Sequence, residues 1–423
     1  MKRAYFAVGG LTLVSALALA AGCSSNNNSS NAGLGTGGGN TGGSGNVGNA
    51  GNTGGFGNFG ATGGGGPLID AGGGAGTGGG TSTCNAGPTE DYDKDGFTIQ
   101  DGDCNDCEPN ANPGAFDVMG NGVDEDCDGT PDNTVEHCDE TIPDVGYTDP
   151  MAAAAAIGLC HVATAGDKKW GVLEAKYVLA DGSPGMNPLS AGLLEAFGPN
   201  VNTQEGKRML GLSSGTARQP TDPGYQSVGG FSAGTTSPQP PGFPIDTPAC
   251  PGVTTGGNAN DPGGFEVKIR VPTNAKSFKF VFDFYTYEFP SFICSSYNDF
   301  FVALQNPPPP NAIQGNISFD SQNNPVSVNN GLLEVCTPQT AGGKTFPCNL
   351  GPGELTGTGF ENHAATGWLE TQSPVDPGSE VTLRFMAYDV GDHILDSTVL
   401  IDKFEFSTEE ATGSTTKPVP VPR

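Results

Sequence analysis

Basic residues are scarce in this chain: 18 Lys and Arg stand against 46 Asp and Glu among 423 residues, a formal charge of −28. That shortage argues against nucleic acid as a partner, because an acidic protein repels phosphates instead of releasing counterions from them. A cation is the better-matched ligand. Histidine is also sparse, limited to His137, His161, His363 and His393. Neither an HExxH helix nor a Walker loop occurs, so zinc-protease and phosphate-loop chemistry lack their residues. No apolar run beyond Ala21 is long enough to span a bilayer. Glycine is in excess instead, at 68 residues, more than twice its usual share of ~7%.

Lys2 and Arg3 precede an apolar run from Ala4 to Ala21, the pattern of a secretory signal. The run closes on Ala20-Ala21-Gly22-Cys23, which resembles the lipobox of bacterial lipoproteins, with Ala20 where that family most often has Leu. The resemblance implies removal of residues 1–22, lipidation of Cys23, and the membrane as a partner through the N-terminal lipid. Ser24, not Asp, follows the Cys, which in that family's sorting pattern implies the outer membrane or cell surface. The alternative is an ordinary cleaved signal with a chance Cys. Residues 23–83 are almost entirely Gly, Asn, Ser, Thr and Ala, with Asp70 the only charged residue. They cannot bury enough apolar surface to offset ordering entropy, and read as a disordered tether. Matches to GxGxxG inside it have no strand before them and no helix after, and carry no weight.

The charge is concentrated next. Glu90 to Glu140 holds seventeen acidic residues and one base, Lys94. In Asp91-Tyr92-Asp93-Lys94-Asp95-Gly96-Phe97 the carboxylates fall at positions 1, 3 and 5, with Gly at 6 and a carbonyl donor, Phe97, at 7, the oxygen spacing of a calcium loop. Asp124, Asp126, Asp128, Gly129 and Thr130 repeat it, followed by Asp132. Gly102 and Val135 occupy position 12, where an EF-hand has Glu, and no amphipathic helices flank the loops, so Asp103, Asp106 or Asp132 are expected to complete the shells. Solvated acidic loops without an ion are the alternative. With Gly102-Asp103-Cys104-Asn105-Asp106 and Pro113-Gly114-Ala115 between them, these loops resemble the metal-binding motif of MopE-type bacterial secreted proteins. The resemblance implies calcium, and in one branch of that family copper; no residue here favours copper. It also implies a Cys104–Cys127 disulfide.

Ten Cys remain after Cys23, an even number in an exported chain, which reads as a disulfide set. Proximity pairs Cys336 with Cys348, and Cys138 with Cys160, Cys84 with Cys107 and Cys250 with Cys294 are further expected pairs. Zinc at Cys104-Asn105-Asp106-Cys107 is the competing reading, but a second CxxC is missing.

Asp149-Pro150-Met151, five Ala and then Ile157-Gly158-Leu159 predict one helix with an Asp N-cap. Beyond it, 171–179, 265–271, 278–287, 300–304, 381–388 and 399–406 are short, rich in Val, Phe, Tyr and Ile, and separated by Pro, Gly and Asn. That pattern predicts a mainly β fold, a β-sandwich or jelly roll, preceded by the small disulfide-bonded metal-loop module and the Gly-rich tether. Lys279, Asp283 and Thr286 interrupt an aromatic run, as on a strand with one wet face. Gly211-Leu212-Ser213-Ser214-Gly215, the run 280–290, Tyr297-Asn298-Asp299-Phe300-Phe301, 325–330 and Asp389-Val390-Gly391-Asp392-His393 resemble the choice-of-anchor L domain of bacterial surface proteins, over roughly residues 150–407. Glu288, Asp299, Asp389, Asp392 and Asp396, with Asn298 and Asp402, lie at predicted strand ends and form a candidate second metal site. Turn chemistry, with these side chains bonding nearby backbone N–H groups, is the alternative.

Boundaries follow at 1–22, 23–83, 84–140, 141–410 and 411–423. The expected function is a non-enzymatic, lipid-anchored surface protein with a Ca2+-stabilised module, whose β-sandwich binds an unidentified surface or extracellular-matrix partner in adhesion. A polysaccharide hydrolase, with two carboxylates and an aromatic such as Trp368 in a cleft, is the alternative. Metal scavenging is a third, which needs tighter binding than the ~10⁻⁴–10⁻³ M of extracellular calcium modules.

Overall fold

The structure, a computed structural model, describes residues 86–132 and 136–420. The signal, Cys23, the tether, Cys84 and Val135 lie outside the described residues. Helix α1 (Pro150–Ala156) starts as expected: the Asp149 side chain accepts the Met151 N–H, and Pro150 occupies the first turn. It stops before the predicted Leu159 because Gly158 turns the chain at φ 95°.

In chain order the strands are β1 (Gly171–Val178), β2 (Ala191–Leu194), β3 (Met209–Ser213), β4 (Thr236–Ser237) and β5 (Ala259–Arg270). β6 (Ser277–Thr286), β7 (Phe300–Asn306), β8 (Val326–Ser327), β9 (Gln339–Ala341) and β10 (Lys344–Phe346) follow. β11 (Ala364–Ala365), β12 (Leu369–Pro374), β13 (Glu380–Asp389), β14 (Ser397–Ser407) and β15 (Thr415–Pro418) complete the set. One antiparallel sheet runs β1-β5-β13-β7-β8, with β4 on β5. The other runs β15-β12-β6-β14-β3-β2, with β11 on β6, and β9 and β10 form a separate ribbon.

The two large sheets face each other. Alternation along β6 sends Phe278, Phe280, Phe282 and Phe284 into the shared core with Phe265, Phe301, Leu383 and Phe385. Phe280 meets Phe385 edge-on at 5.0 Å and Phe282 meets Phe301 at 4.6 Å, so aromatic rings lock the register between layers. Each fully buried Phe contributes about 1.5–3 kcal/mol, which makes this stripe the main support of the fold.

The wet face expected on β6 is not found. Asp283 and Thr286 are fully buried and only Lys279 remains partly open. Thr286 lies in register with the core-side phenylalanines by alternation. Asp283 shares the opposite face with Tyr285, and Phe197, Val335, Leu355 and Phe360 cover that face as a second hydrophobic cluster. Residues from long connections cover it, and no single-strand pattern could reveal that.

The module at 86–140 has one 3-10 turn, Ile99–Asp101, and no strand among its described residues. It is braced by Cys104–Cys127 and docks on the turn between β5 and β6. The Phe97 ring packs against Gly114, where a Cβ would come within 2.9 Å of it. Asn274 exchanges hydrogen bonds with the Phe116 backbone at 3.1 and 2.8 Å. Cys138–Cys160, Cys250–Cys294 and Cys336–Cys348 are formed as expected. Cys107 is disulfide-bonded as well.

Candidate metal centres

Asp91 turns both its oxygens to the backbone, and Asp93 and Asp95 one each. Asp91 accepts the N–H groups of Lys94 (2.7 Å) and Gly96 (3.1 Å), Asp93 that of Asp95 (3.2 Å), and Asp95 that of Phe97 (2.7 Å). Gly96 sits at φ 98°, a conformation open to Gly at little cost, so the loop closes on itself. The second oxygens of Asp93, Asp95 and Asp103 are buried without a hydrogen-bond partner. Ligand atoms of Asp91, Asp93 and Asp95 lie within 4.8 Å of one another, and those of Asp93, Asp103 and Asp106 do the same. Burial, with repulsion from Asp93, pushes the Asp95 carboxyl up to about 6.

The second loop repeats the geometry. Asp124 accepts from Asp128 (3.1 Å) and Gly129 (3.0 Å), and Asp128 accepts from Thr130 (2.7 Å). Its cluster is Asp117, Asp124 and Asp126. Asp117 escapes the sequence reading because it lies upstream of the repeat and is brought in by accepting the N–H groups of Glu125 and Asp126 (2.9 and 3.2 Å). Asp128 is not in that cluster, and Asp132 holds the N–H groups of Asn121 and Gly122. Burial, followed by repulsion from Asp117, raises Asp126 to about 6. Like charges this close repel by about 4 kcal/mol per pair at an effective dielectric of ~20. Buried oxygens left without donors and carboxyls driven upward both fit a hard, oxygen-liganded cation such as Ca2+.

A third cluster lies in the sandwich. Glu288 follows β6, Asp299 precedes β7 and Asp389 ends β13, and ligand atoms of all three, each buried, lie within 4.8 Å of one another. Asp396, just before β14, is buried near them and fits against Gly215, where a Cβ would overlap its carboxylate. Burial, then Asp389, raises Glu288 to about 9; burial, then Asp299, raises Asp389 to about 11. Asp392 is only half-buried and caps the Ile394 N–H at 2.9 Å, and His393 is paired with Asp261 at 2.9 Å. Asp402 accepts the backbone N–H groups of Gln204, Glu205 and Lys403 (2.6, 3.2 and 2.7 Å), turn chemistry away from the triad.

Between module and sandwich lies a cleft of about 670 Å³. Trp170, Phe404, Phe406 and His161 line it on the sandwich side, and Asp117, Asp126, Thr130 and Asp132 on the module side. Trp368, the aromatic expected for a hydrolase cleft, packs instead beside the Phe197 cluster. Ser213 of the GxSxG string ends β3, is buried, and bonds the Ser397 carbonyl at 3.1 Å; no helix follows it, so it is not the exposed serine of a nucleophile elbow.

These features define a disulfide-braced antiparallel β-sandwich with acid-rich loops at its edges. Residues 213–407 match the choice-of-anchor L domain, which marks the chain as a surface-associated protein. The match begins at Ser213, so the upstream part of the resemblance, residues 150–212, lies outside it. No curated protein and no solved structure matches the chain.

Proposed function

We propose that this protein is a bacterial surface lipoprotein, held through Cys23 in the outer membrane, in which Ca2+ stiffens the acidic module and module and sandwich together bind a surface or extracellular-matrix partner. The observation that carries the reading is the shared cleft: aromatic rings of the sandwich form one wall and the acids of the second calcium-type loop the other. Ca2+ at Asp117, Asp124 and Asp126 would cancel their repulsion and fix that wall. The test is retention of the full oxidised chain on immobilised matrix proteins and glycans, in calcium and in EDTA, for wild type and Trp170→Ala. Retention that needs both calcium and Trp170 supports the reading; retention indifferent to both refutes it.

A second reading, hydrolysis of a polysaccharide, draws on one pair in this cleft. Burial, followed by the charge of Glu405, raises Glu205, while Lys279 holds Glu405 at 2.8 Å. A half-buried carboxyl beside a second carboxylate paired to a lysine is the kind of acid pair glycosidases use. Release of reducing ends from polysaccharide, lost in Glu205→Gln, would establish it; no release from a broad polysaccharide panel leaves the binding reading.

A further inference from the structure

We propose that Glu288, Asp299 and Asp389 form a Ca2+ site inside the sandwich, independent of the acidic module, that ties its two sheets together at one end. Glu288 hangs from β6 in one sheet, while Asp299 and Asp389 hang from β7 and β13 in the other. An ion between them joins layers that elsewhere meet through side-chain packing and a few hydrogen bonds, such as Gln305 Nε2 to the Pro374 carbonyl at 2.8 Å.

The unpaired atoms carry the argument. Glu288 is 1% exposed, Asp299 0% and Asp389 2%, yet Glu288 Oε2, Asp299 Oδ1 and both oxygens of Asp389 lack a donor of normal geometry, and Asp299 and Asp389 stand carboxyl to carboxyl. Buried polar atoms are ordinarily satisfied, and here one carboxylate oxygen from each of the three residues lies within 4.8 Å of the other two. Among the described residues no Lys, Arg or His forms an ion pair with any of the three. His393, in the neighbouring loop, is committed to Asp261. The donors are oxygen only, without imidazole or thiolate, which selects a hard divalent ion over zinc or copper.

The surroundings hold the ligands in place. Ser397 Oγ donates to Asp299 Oδ2 at 2.6 Å and leaves Oδ1 facing the cluster. The Asp396 carbonyl accepts the Tyr287 N–H at 3.1 Å, and the Phe292 N–H bonds the Glu288 carbonyl at 3.0 Å. Asp396 Oδ2 is likewise buried without a partner. The competing arrangement is a dry cluster in which Asp299 and Asp389 share protons and no ion enters.

The test counts calcium in the full oxidised chain by mass spectrometry after gel filtration, with melting curves in calcium and in EDTA. Asp93→Asn with Asp95→Asn disables the first module loop and Asp124→Asn with Asp126→Asn the second; the protein carrying all four should keep one ion and an EDTA-sensitive melt. Asp389→Asn with Glu288→Gln should hold one ion fewer than wild type. A four-substitution protein without calcium, whose melt ignores EDTA, overturns the site even if the triad variant fails to fold. A triad variant that melts at or above wild type with an unchanged ion count shows the shared-proton cluster and also overturns it. Should the module loops bind nothing while the triad keeps its ion, the calcium-stiffened cleft fails and this site stands.

Discussion

Asp283 offers a stability test that needs no ligand. Its carboxyl is fully buried on the outer face of β6, and burial, followed by the charge of Glu354, raises it from 3.8 to about 8. The hydrogen bonding explains why the neutral acid fits. Thr366 Oγ1 lies 3.1 Å from Asp283 Oδ1 and 2.8 Å from the Gly367 carbonyl, and it accepts the Phe284 N–H at 3.0 Å. One hydroxyl proton cannot serve two acceptors. A protonated Asp283 donates from Oδ1 to Thr366, which then donates to Gly367, so each hydroxyl proton serves one acceptor. Because the folded-state value lies above the unfolded one, the folded chain binds the proton more tightly. The stabilisation is complete below about pH 4 and is lost as pH rises through the window to about 8. The slope approaches 1.4 kcal/mol per pH unit from this group alone. Asp283→Asn keeps the shape and an N–H donor without the ionisation, so its stability should fall less steeply with pH. Urea unfolding of the full chain with disulfides intact, in EDTA at pH 5, 6, 7 and 8, compares the two proteins. The difference in unfolding free energy should grow in favour of the variant toward pH 8; parallel profiles would refute the buried-acid argument.

Phe282→Ala should destabilise by about 3–5 kcal/mol, read as a lower urea midpoint, because its buried ring fills the space against Phe301 and leaves a cavity between sheets. Replacing Cys104 and Cys127 by Ser opens a loop of sequence separation 23 and should cost about 3 kcal/mol, seen as faster proteolysis within 91–132 while the sandwich persists. Gly215→Ala drives a Cβ into the Asp396 carboxylate and should lower the melting temperature by several degrees in calorimetry. Cys23→Ser should move the protein from the membrane fraction to the soluble one, since the reading assigns the anchor to that sulfur; unchanged fractionation would refute it.

Much of this architecture was legible along the chain. The Phe and Val runs at 278–287 and 381–388 announced β6 and β13, because side-chain alternation is a local property of an extended backbone. The Asp91 and Asp124 loops were legible for a similar reason: their acids are local, spaced by one residue and closed by Gly96 and Gly129. The strands at 191–194 and 209–213 were not, since small residues such as Gly192 and Gly211 give no apolar rhythm and gain strand structure only by pairing with neighbours. Asp117 was missed because its place in the second loop depends on backbone N–H groups further along.

The sequence by itself determined the mainly β class, the two acidic loops, the pairing of Cys336 with Cys348 and the excess of negative charge, most of which depend on residues close together along the chain. Only the tertiary structure decided which acids meet. Glu288, Asp299 and Asp389 converge because two sheets stack face to face and bring three separate turns to one end, whereas Asp392, nominated beside them, faces a backbone N–H of its own turn. The burial of Asp283 and the cleft at Trp170 arise the same way: long connections and the docked module cover surfaces that a single strand cannot know will be covered.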